Sequence, residues 1–404
     1  MIHVSAPGYV FISGEWSILE PGNAGLVAAV NKRSHVEVQE FFSEEPTRIE
    51  VSIVAEELGI RERKGTFDGK SIVFTPELSE DELQKLRFVR SAAEVALRYL
   101  KEAGVSTKSF ALKTWTQEMH VGVDGQRKKI GLGVSSSITV AAIAAILELH
   151  GLHAEKSKDL IYKLGVIAHY GSQGKVGSSF DVAASTYGGT FSYIAPDMVK
   201  LTEQLQQKSV KQVAEARWPL LHIQPMEVPE SLYLAVGWTK ASADTSVMIK
   251  AMNVWKESNP TEYGSQIEVL SETVDRLLGA WRMKDKEAIR DLLKQNAIRL
   301  RELTQASGVP IETEDLRKLC ELAEQNGAVG KLSGAGGGDC GIAVCFDEHA
   351  ADDIKAAWKA AGLFALDVAL DKEGVKVVKK TLEAHGGAAP GAPPSATAEG
   401  LVHK

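Results

Sequence analysis

Cysteine is scarce in this chain: Cys320, Cys340 and Cys345 are the only three in 404 residues, and none forms a CxxC pair. That odd count excludes a disulfide framework and a cysteine-based zinc site, so the three read as buried thiols. Histidine adds little. Of ten, only His150 and His153 stand close together, in ELHGLH, where helix termination at Gly151 explains them better than metal binding. No run of about 18 uncharged apolar residues occurs, which removes a membrane-spanning helix. A basic surplus is also missing. The formal charge of −7 has the wrong sign for a nucleic-acid surface, and the seven tryptophans lack interleaved basic residues. The opening MIHVSAPGYVFISGEW has neither the basic head nor the long apolar run of a secretion signal. These absences predict a cytoplasmic protein without nucleic-acid or membrane partners, and they leave monomer and homodimer equally open.

What is present is an ordinary globular composition in a chain too long for one core, so two domains are expected. The first, 1–210, opens with strand patterns IHVSA, YVFISG, GLVAAV and HVEVQEFF, broken at Pro7-Gly8, Pro21-Gly22 and Asn31. A short strand, SIVFT, precedes an amphipathic helix over 81–103, in which Leu83, Leu86, Val89, Ala93 and Leu97 recur at helical spacing. The second, 220–380, reads as strand, helices, strand, helix, strand, which is an α+β pattern. The tail 385–404, with AAPGAPPSATAEG, is low in complexity and is expected to be disordered.

Two glycine-rich stretches carry the chemistry. KLSGAGGGDCG places Gly334, Gly336, Gly337 and Gly338 within five positions between two strand patterns, a backbone free to approach an anion closely. A plain hairpin turn needs one or two glycines, not four. The other stretch, GLGVSSSITVAAIAAILEL, sets Gly131 and Gly133 before an apolar helix, with Ser135, Ser136 and Ser137 at its start. There the hydroxyls either cap the helix or share an anion with its free N–H groups. No Lys-Ser or Lys-Thr follows, so it is not a Walker A loop. Asp181, in SSFDVAAS, stands among small residues at a predicted helix start. A lone carboxylate there also complements the helix dipole; beside glycine loops it becomes a candidate base.

PGYVFISGEW, GLGVSSSITVA and SGAGGGDCG, in that order and spacing, resemble the GHMP family of small-molecule kinases over roughly residues 1 to 380. GEWSILEPG, SSFDVAAS and VGWTKASADTS extend the resemblance toward the members that phosphorylate 5-phosphomevalonate. The resemblance implies a two-domain α+β fold, a ribosomal-protein-like N-terminal domain with a ferredoxin-like C-terminal one, and an ATP site between them. It implies that Gly131, Leu132, Gly133, Val134, Ser135, Ser136 and Ser137 wrap the ATP phosphates, with Ser135 or Ser136 reaching Mg2+. Asp181 would orient the acceptor oxygen. Gly334, Ala335, Gly336 and Gly337 would shape the transfer pocket, Glu15 and Trp16 would form a substrate wall, and Ser242, Thr245 and Ser246 would contact the acceptor. Lys128, Lys129, Lys175 and Lys240 are candidates for the positive charge that a phosphorylated small-molecule substrate requires, or else are solvated surface lysines.

The sequence departs from the family at Tyr9, where Pro-Gly is usually followed by lysine. Tyrosine donates a hydrogen bond but cannot neutralise a metaphosphate-like transition state. Another lysine takes over, or the residue was changed to trap a complex, or activity is altered. Val134 replaces a frequent serine but keeps its backbone N–H. A related decarboxylase is the alternative enzyme, although its Asn-Ile and Tyr-Trp-Gly-Lys segments are absent. A nucleotide-binding relative without turnover is the non-catalytic alternative.

Overall fold

The computed structural model describes residues 1–380 other than 44, 46, 124, 175, 176, 242 and 243, and leaves aside the side chains of 117, 126, 127 and 380. Ser242, Lys175 and the 385–404 tail therefore lie outside the described residues. The first half runs β1 (Ile2–Ser13), β2 (Ala24–Glu40), β3 (Ile49–Ala55), β4 (Ile60–Phe67), β5 (Ile72–Phe74), α1 (Glu80–Glu102), β6 (Phe110–Trp115), β7 (His120–Val123), β8 (Gln126–Lys129), α2 (Val134–Leu149), α3 (Lys158–Ser172), α4 (Phe180–Tyr187) and β9 (Thr190–Ile194). It continues through α5 (Met198–Gln207), α6 (Val210–Glu215), β10 (His222–Pro225), β11 (Tyr233–Trp238), α7 (Thr245–Ser258), α8 (Pro260–Met283) and α9 (Lys286–Ser307). The chain ends with α10 (Glu314–Gln325), β12 (Val329–Leu332), β13 (Cys340–Cys345), α11 (Glu348–Ala360), β14 (Phe364–Leu366) and β15 (Lys376–Lys380). No helix among the described residues is long and apolar enough to cross a membrane.

Two sheets organise these elements. The larger has the path β10-β9-β2-β6-β3-β4-β5, with β1 between β2 and β15. The smaller is antiparallel with order β12-β13-β11-β14. Numbered within its own half, that order is 2-3-1-4 with helices after the first and third strands, which is ferredoxin-like. The larger sheet crosses the expected division at 210–220, because β10 pairs with β9 and β15 pairs with β1, whereas the smaller lies wholly within 220–380. The last strand of the chain thus returns to the first sheet.

β1 and β2 form the wall between the halves. Alternation along them sends Phe11, Val27 and Ala29 into the core under α1–α4. Val10, Ile12, Leu26, Ala28 and Val30 enter a second core with Trp238, Leu277, Trp281 and Ile342. Burial on both faces explains why these strands read as nearly unbroken apolar runs. It also explains why the breaks expected at Pro7-Gly8 and Asn31 do not occur. Pro7-Gly8 is a register shift inside one strand, and Asn31 stays in β2 while its side chain accepts from the Ala369 N–H at 2.9 Å. α1 is closed by a capping box from Ser79 and Glu82. α2 is buried from Ser136 to Glu148 on every face, as its alanine and isoleucine content requires.

Candidate active site

The loop before α2 is clamped from below by β1. The Tyr9 N–H donates to the Leu132 carbonyl at 3.0 Å, and a methyl group at Gly8 would fall 2.3 Å from that oxygen. Gly133 takes φ +81° as the N-cap of α2, with the Tyr9 ring where its Cβ would be. No side chain caps α2, so its opening N–H groups face the cleft and suit an anion. Ser135 lines that cleft. Ser136 and Ser137 do not point there: each hydroxyl donates to the Gly133 carbonyl at 3.0 Å, and Ser137 also shares a 2.7 Å bond with Ser34. The Ser136 and Ser137 hydroxyls expected at the metal and the phosphates are thus engaged by protein partners here. The Ser137 hydroxyl ties the helix to β2, and that of Ser136 accepts from Ser185 on α4.

A second wall comes from the start of α4. Ser179 adopts φ +64° before it, and the Tyr193 hydroxyl, itself bonded to Tyr162 at 2.9 Å, donates to the Ser178 carbonyl at 2.7 Å. This brace presents Asp181 to the cleft, its Oδ1 accepting from the Val182 N–H at 2.9 Å. Behind it lies His169 on α3, 2% exposed, with Nε2 3.6 Å from Asp181 Oδ2. Burial pushes the His169 pKa down, against the pull of Asp181, so the imidazole is neutral at pH 7. Tyr9 packs edge-on against Phe180, ring centroids 5.2 Å apart. Burial, followed by the charges of Asp181 and Asp339, drives its phenol far above the usual range. Tyr9 is therefore a neutral donor, not a substitute cation.

The third wall is the glycine loop after β12. Ser333 Oγ accepts from the Phe11 N–H at 2.8 Å, fastening the loop to β1. Gly334 and Ala335 face the cleft. Gly336 and Gly337 do not: a methyl at Gly336 would lie 2.0 Å from the Ile311 carbonyl, and the Gly337 N–H donates to that same oxygen at 2.9 Å. They dock the loop on Ile311. Glu15 lines the cleft, but its carboxylate is bonded to the buried Lys331 ammonium, which also donates to the Leu332 carbonyl at 2.7 Å. Burial raises the Glu15 pKa while Lys331 opposes that rise. Glu15 thus links the turn after β1 to β12. Trp16 and Thr245 line the cleft, whereas Lys240 and Ser246 are not part of its wall.

These walls enclose a cavity of about 230 Å³. A second cavity of about 190 Å³ lies on the other side of the α2 start, between Trp115, Val134, Ile138 and Arg87. Lys129 and Ser135 line both. Lys129, at the end of β8, is the one cationic side chain among the described residues lining the first cavity, against Glu15, Asp181 and Asp339. Burial lowers its pKa and Asp339 partly offsets the effect. The sequence reading singles out none of Arg87, His169, Lys331 and Asp339. Nothing local distinguishes them from helix-face or core residues; only the tertiary arrangement brings Asp339 and Arg87 to the cavity walls and sets His169 and Lys331 against Asp181 and Glu15.

Comparisons with known proteins agree with this architecture. Residues 87–189 match the GHMP kinases N terminal domain and residues 276–362 the GHMP kinases C terminal domain. The chain is 31% identical over 376 residues to the phosphomevalonate kinase of Streptomyces sp. (strain CL190), covering 92% of this chain and 97% of that protein. It is 26% identical over 379 residues to the mevalonate kinase of Pyrococcus furiosus, with 92% and 97% covered. Among solved structures, the Lin0012 protein from Listeria innocua superposes with a TM-score of 0.83 at 28% identity, over 94% of this chain and 99% of that one. Streptococcus pneumoniae phosphomevalonate kinase in complex with phosphomevalonate and AMPPNP gives 0.74 at 26% identity, over 92% and 100%.

Proposed function

The chain belongs to the GHMP kinase family of small-molecule kinases, and from that premise we propose that it transfers the γ-phosphoryl group of ATP to the phosphate of 5-phosphomevalonate. The observation that carries the reading is the seam at Lys129 and Ser135, shared by two cavities of different character. The outer cavity, walled by Trp115, Val134 and Ile138, suits a purine. The inner one, between Asp181, Tyr9 and the glycine loop, suits the acceptor. A polyphosphate crossing the uncapped start of α2 would bring its γ-phosphorus to the seam, within reach of the Lys129 ammonium.

The acceptor oxygen attacks that phosphorus, the bond to the β–γ bridging oxygen breaks, and ADP leaves with the electron pair. A phosphate monoester is already largely ionised at neutral pH, so the chain's task is alignment and charge neutralisation more than proton removal. Asp181 orients the acceptor, Tyr9 donates a neutral hydrogen bond, and Lys129 supplies the charge that a lysine at position 9 would otherwise bring. Among the described residues no group of three or more His, Cys, Asp or Glu side chains could hold a metal. Ser135, exposed to the cleft, fits an ion carried mainly by the nucleotide phosphates. Mg2+ bound there would neutralise phosphate charge. A cytoplasmic location belongs to the same proposal.

A coupled ADP-release assay on phosphomevalonate, mevalonate and homoserine, with CO₂ measured in parallel, tests the assignment. ADP formation on phosphomevalonate without CO₂ is expected. No turnover on that substrate refutes it, and CO₂ release would point to the decarboxylase. Tyr9 motivates one further reading, a relative that binds ATP without transferring phosphate, and in that case nucleotide binding would persist with no ADP formed on any acceptor.

A further inference from the structure

Asp339 occupies an unusual position. A methyl group added to Gly131 would fall 1.9 to 2.1 Å from its Oδ2, Cγ and Oδ1 atoms, so the carboxylate lies directly on the phosphate loop. It gets there from the other half of the molecule. The Asp339 backbone is held by Thr239, whose N–H donates to its carbonyl at 2.9 Å, and by the Ala241 carbonyl, which accepts from its N–H at 3.2 Å. It adopts φ +61°, a left-handed conformation that disfavours most side chains. The Gly131 backbone N–H bonds to the carboxylate, and the charge of the Lys129 ammonium acts on it through space. Gly131 itself does not take a positive φ. It is glycine because Asp339 needs the room.

The Gly131 N–H and Lys129 are also the donors that the kinase reading assigns to nucleotide phosphates. An N–H serves one strong acceptor at a time, and an ammonium already balanced by a carboxylate attracts a second anion less. We propose that Asp339 is an affinity-setting residue: in the ligand-free enzyme its carboxylate takes the Gly131 N–H and offsets the charge of Lys129 in place of a phosphate, and nucleotide binding displaces it. The inference rests on the nucleotide reading above. A simple pin between the domains would behave oppositely, because removing it would loosen the site and weaken binding.

Protonation offers one route of displacement. Burial pushes the Asp339 carboxyl up to about 6, with Gly131 and Lys129 holding it down. The other groups facing it are Tyr9 on β1, Cys340 on β13 and Trp238 on β11; burial keeps both the phenol and the thiol neutral, so neither adds a second negative charge. An arriving polyphosphate would push the carboxyl pKa higher still by like-charge repulsion. Nucleotide binding near neutral pH then takes up a proton.

The test is calorimetric titration of the full chain and Asp339→Asn with Mg·AMPPNP and with inorganic tripolyphosphate. It is run at about pH 7.5 and about pH 5.5, on either side of the carboxyl's value of about 6. Asparagine tolerates φ +61° and keeps the size; Asp339→Gly, suited to the same φ, is the second variant. Both variants are expected to bind about ten-fold tighter than the parent at the higher pH. The gap should narrow at the lower pH, and repetition in buffers of different ionisation enthalpy should show proton uptake in the parent alone. Equal or weaker binding by folded variants, or a gap that ignores pH, overturns the proposal, as does failure of every form to bind either probe. Absence of turnover on phosphomevalonate with these binding differences intact would instead count against the acceptor assignment alone.

Discussion

Lys129→Met is the most direct test of how the site manages with Tyr9. Methionine keeps most of the aliphatic stem, so the change removes charge more than packing. Lys129 is the sole described cation lining the inner cavity, and its side chain keeps contact with solvent there. A unit charge about 4 Å from a phosphoryl oxygen is worth about 4 kcal/mol at an effective dielectric constant of about 20. Part of that is already realised on binding ATP, and part only as charge spreads in the transition state. Loss of one such group typically lowers kcat by about 10²–10³-fold, or roughly 2.7–4 kcal/mol. Steady-state kinetics with ADP detection should show this fall with a smaller rise in KM for ATP, in a protein whose near-ultraviolet circular dichroism is unchanged. Because burial lowers the Lys129 pKa, the parent should also lose activity on the alkaline side before a free lysine would, and the variant should lack that limb. Adding Tyr9→Lys to Lys129→Met places an ammonium beside Asp181 from β1 and should recover at least about ten-fold. A Lys129→Met enzyme that keeps kcat within about five-fold of the parent would refute the assignment of neutralising charge to this residue.

Four further outcomes follow from the geometry. Lys331→Met strands the buried Glu15 carboxylate and should cost about 3–5 kcal/mol in urea unfolding, most of it recovered in the Glu15→Gln/Lys331→Met pair; equal losses in single and double variants would contradict this. Gly133→Ala combines φ +81° with a Cβ 2.4 Å from the Tyr9 ring, and should destabilise by about 2–4 kcal/mol in the same measurement. His169→Phe keeps the stack on Phe88 but removes the nitrogen facing Asp181; kcat should drop about ten-fold with little change in KM for ATP, and an unchanged kcat would remove His169 from the positioning of Asp181. Asp339 has a folded pKa above its unfolded one, so between about pH 4 and about pH 6 the folded state holds the extra proton, and stability from this group falls as pH rises through that window. Asp339→Asn should flatten that fall in pH-dependent urea titrations.

Much of this architecture is legible in the sequence because its signals are local. The helix over 81–103 and the ones in the C-terminal half announce themselves by apolar spacing and by caps such as Ser79 and Asp285. β1 and β2 are less readable for a physical reason: Pro7 and Asn31 punctuate a chain in isolation, yet burial on both faces outweighs that local preference and carries one strand straight through. β3 and β4 carry polar outward faces and were largely missed, and the return of β15 to the first sheet has no local signature at all.

The glycines show the same limit at the site itself. Gly131 and Gly133 look alike in sequence, and both suggest a tight turn. Only Gly133 is glycine for its φ; Gly131 is glycine because a carboxylate more than two hundred residues away occupies the space of its side chain. Conformational need and steric room leave identical traces in one chain, and they separate only when the partner is known. That is why Asp339 carries no signal in the sequence and stands against the Gly131 loop in the fold. It also makes a double substitution informative. Gly131→Ala alone should disrupt the loop, whereas Gly131→Ala with Asp339→Gly removes the clash and should restore the folded loop as judged by urea unfolding. If the second change restores nothing, Gly131 is required for some reason other than room for Asp339.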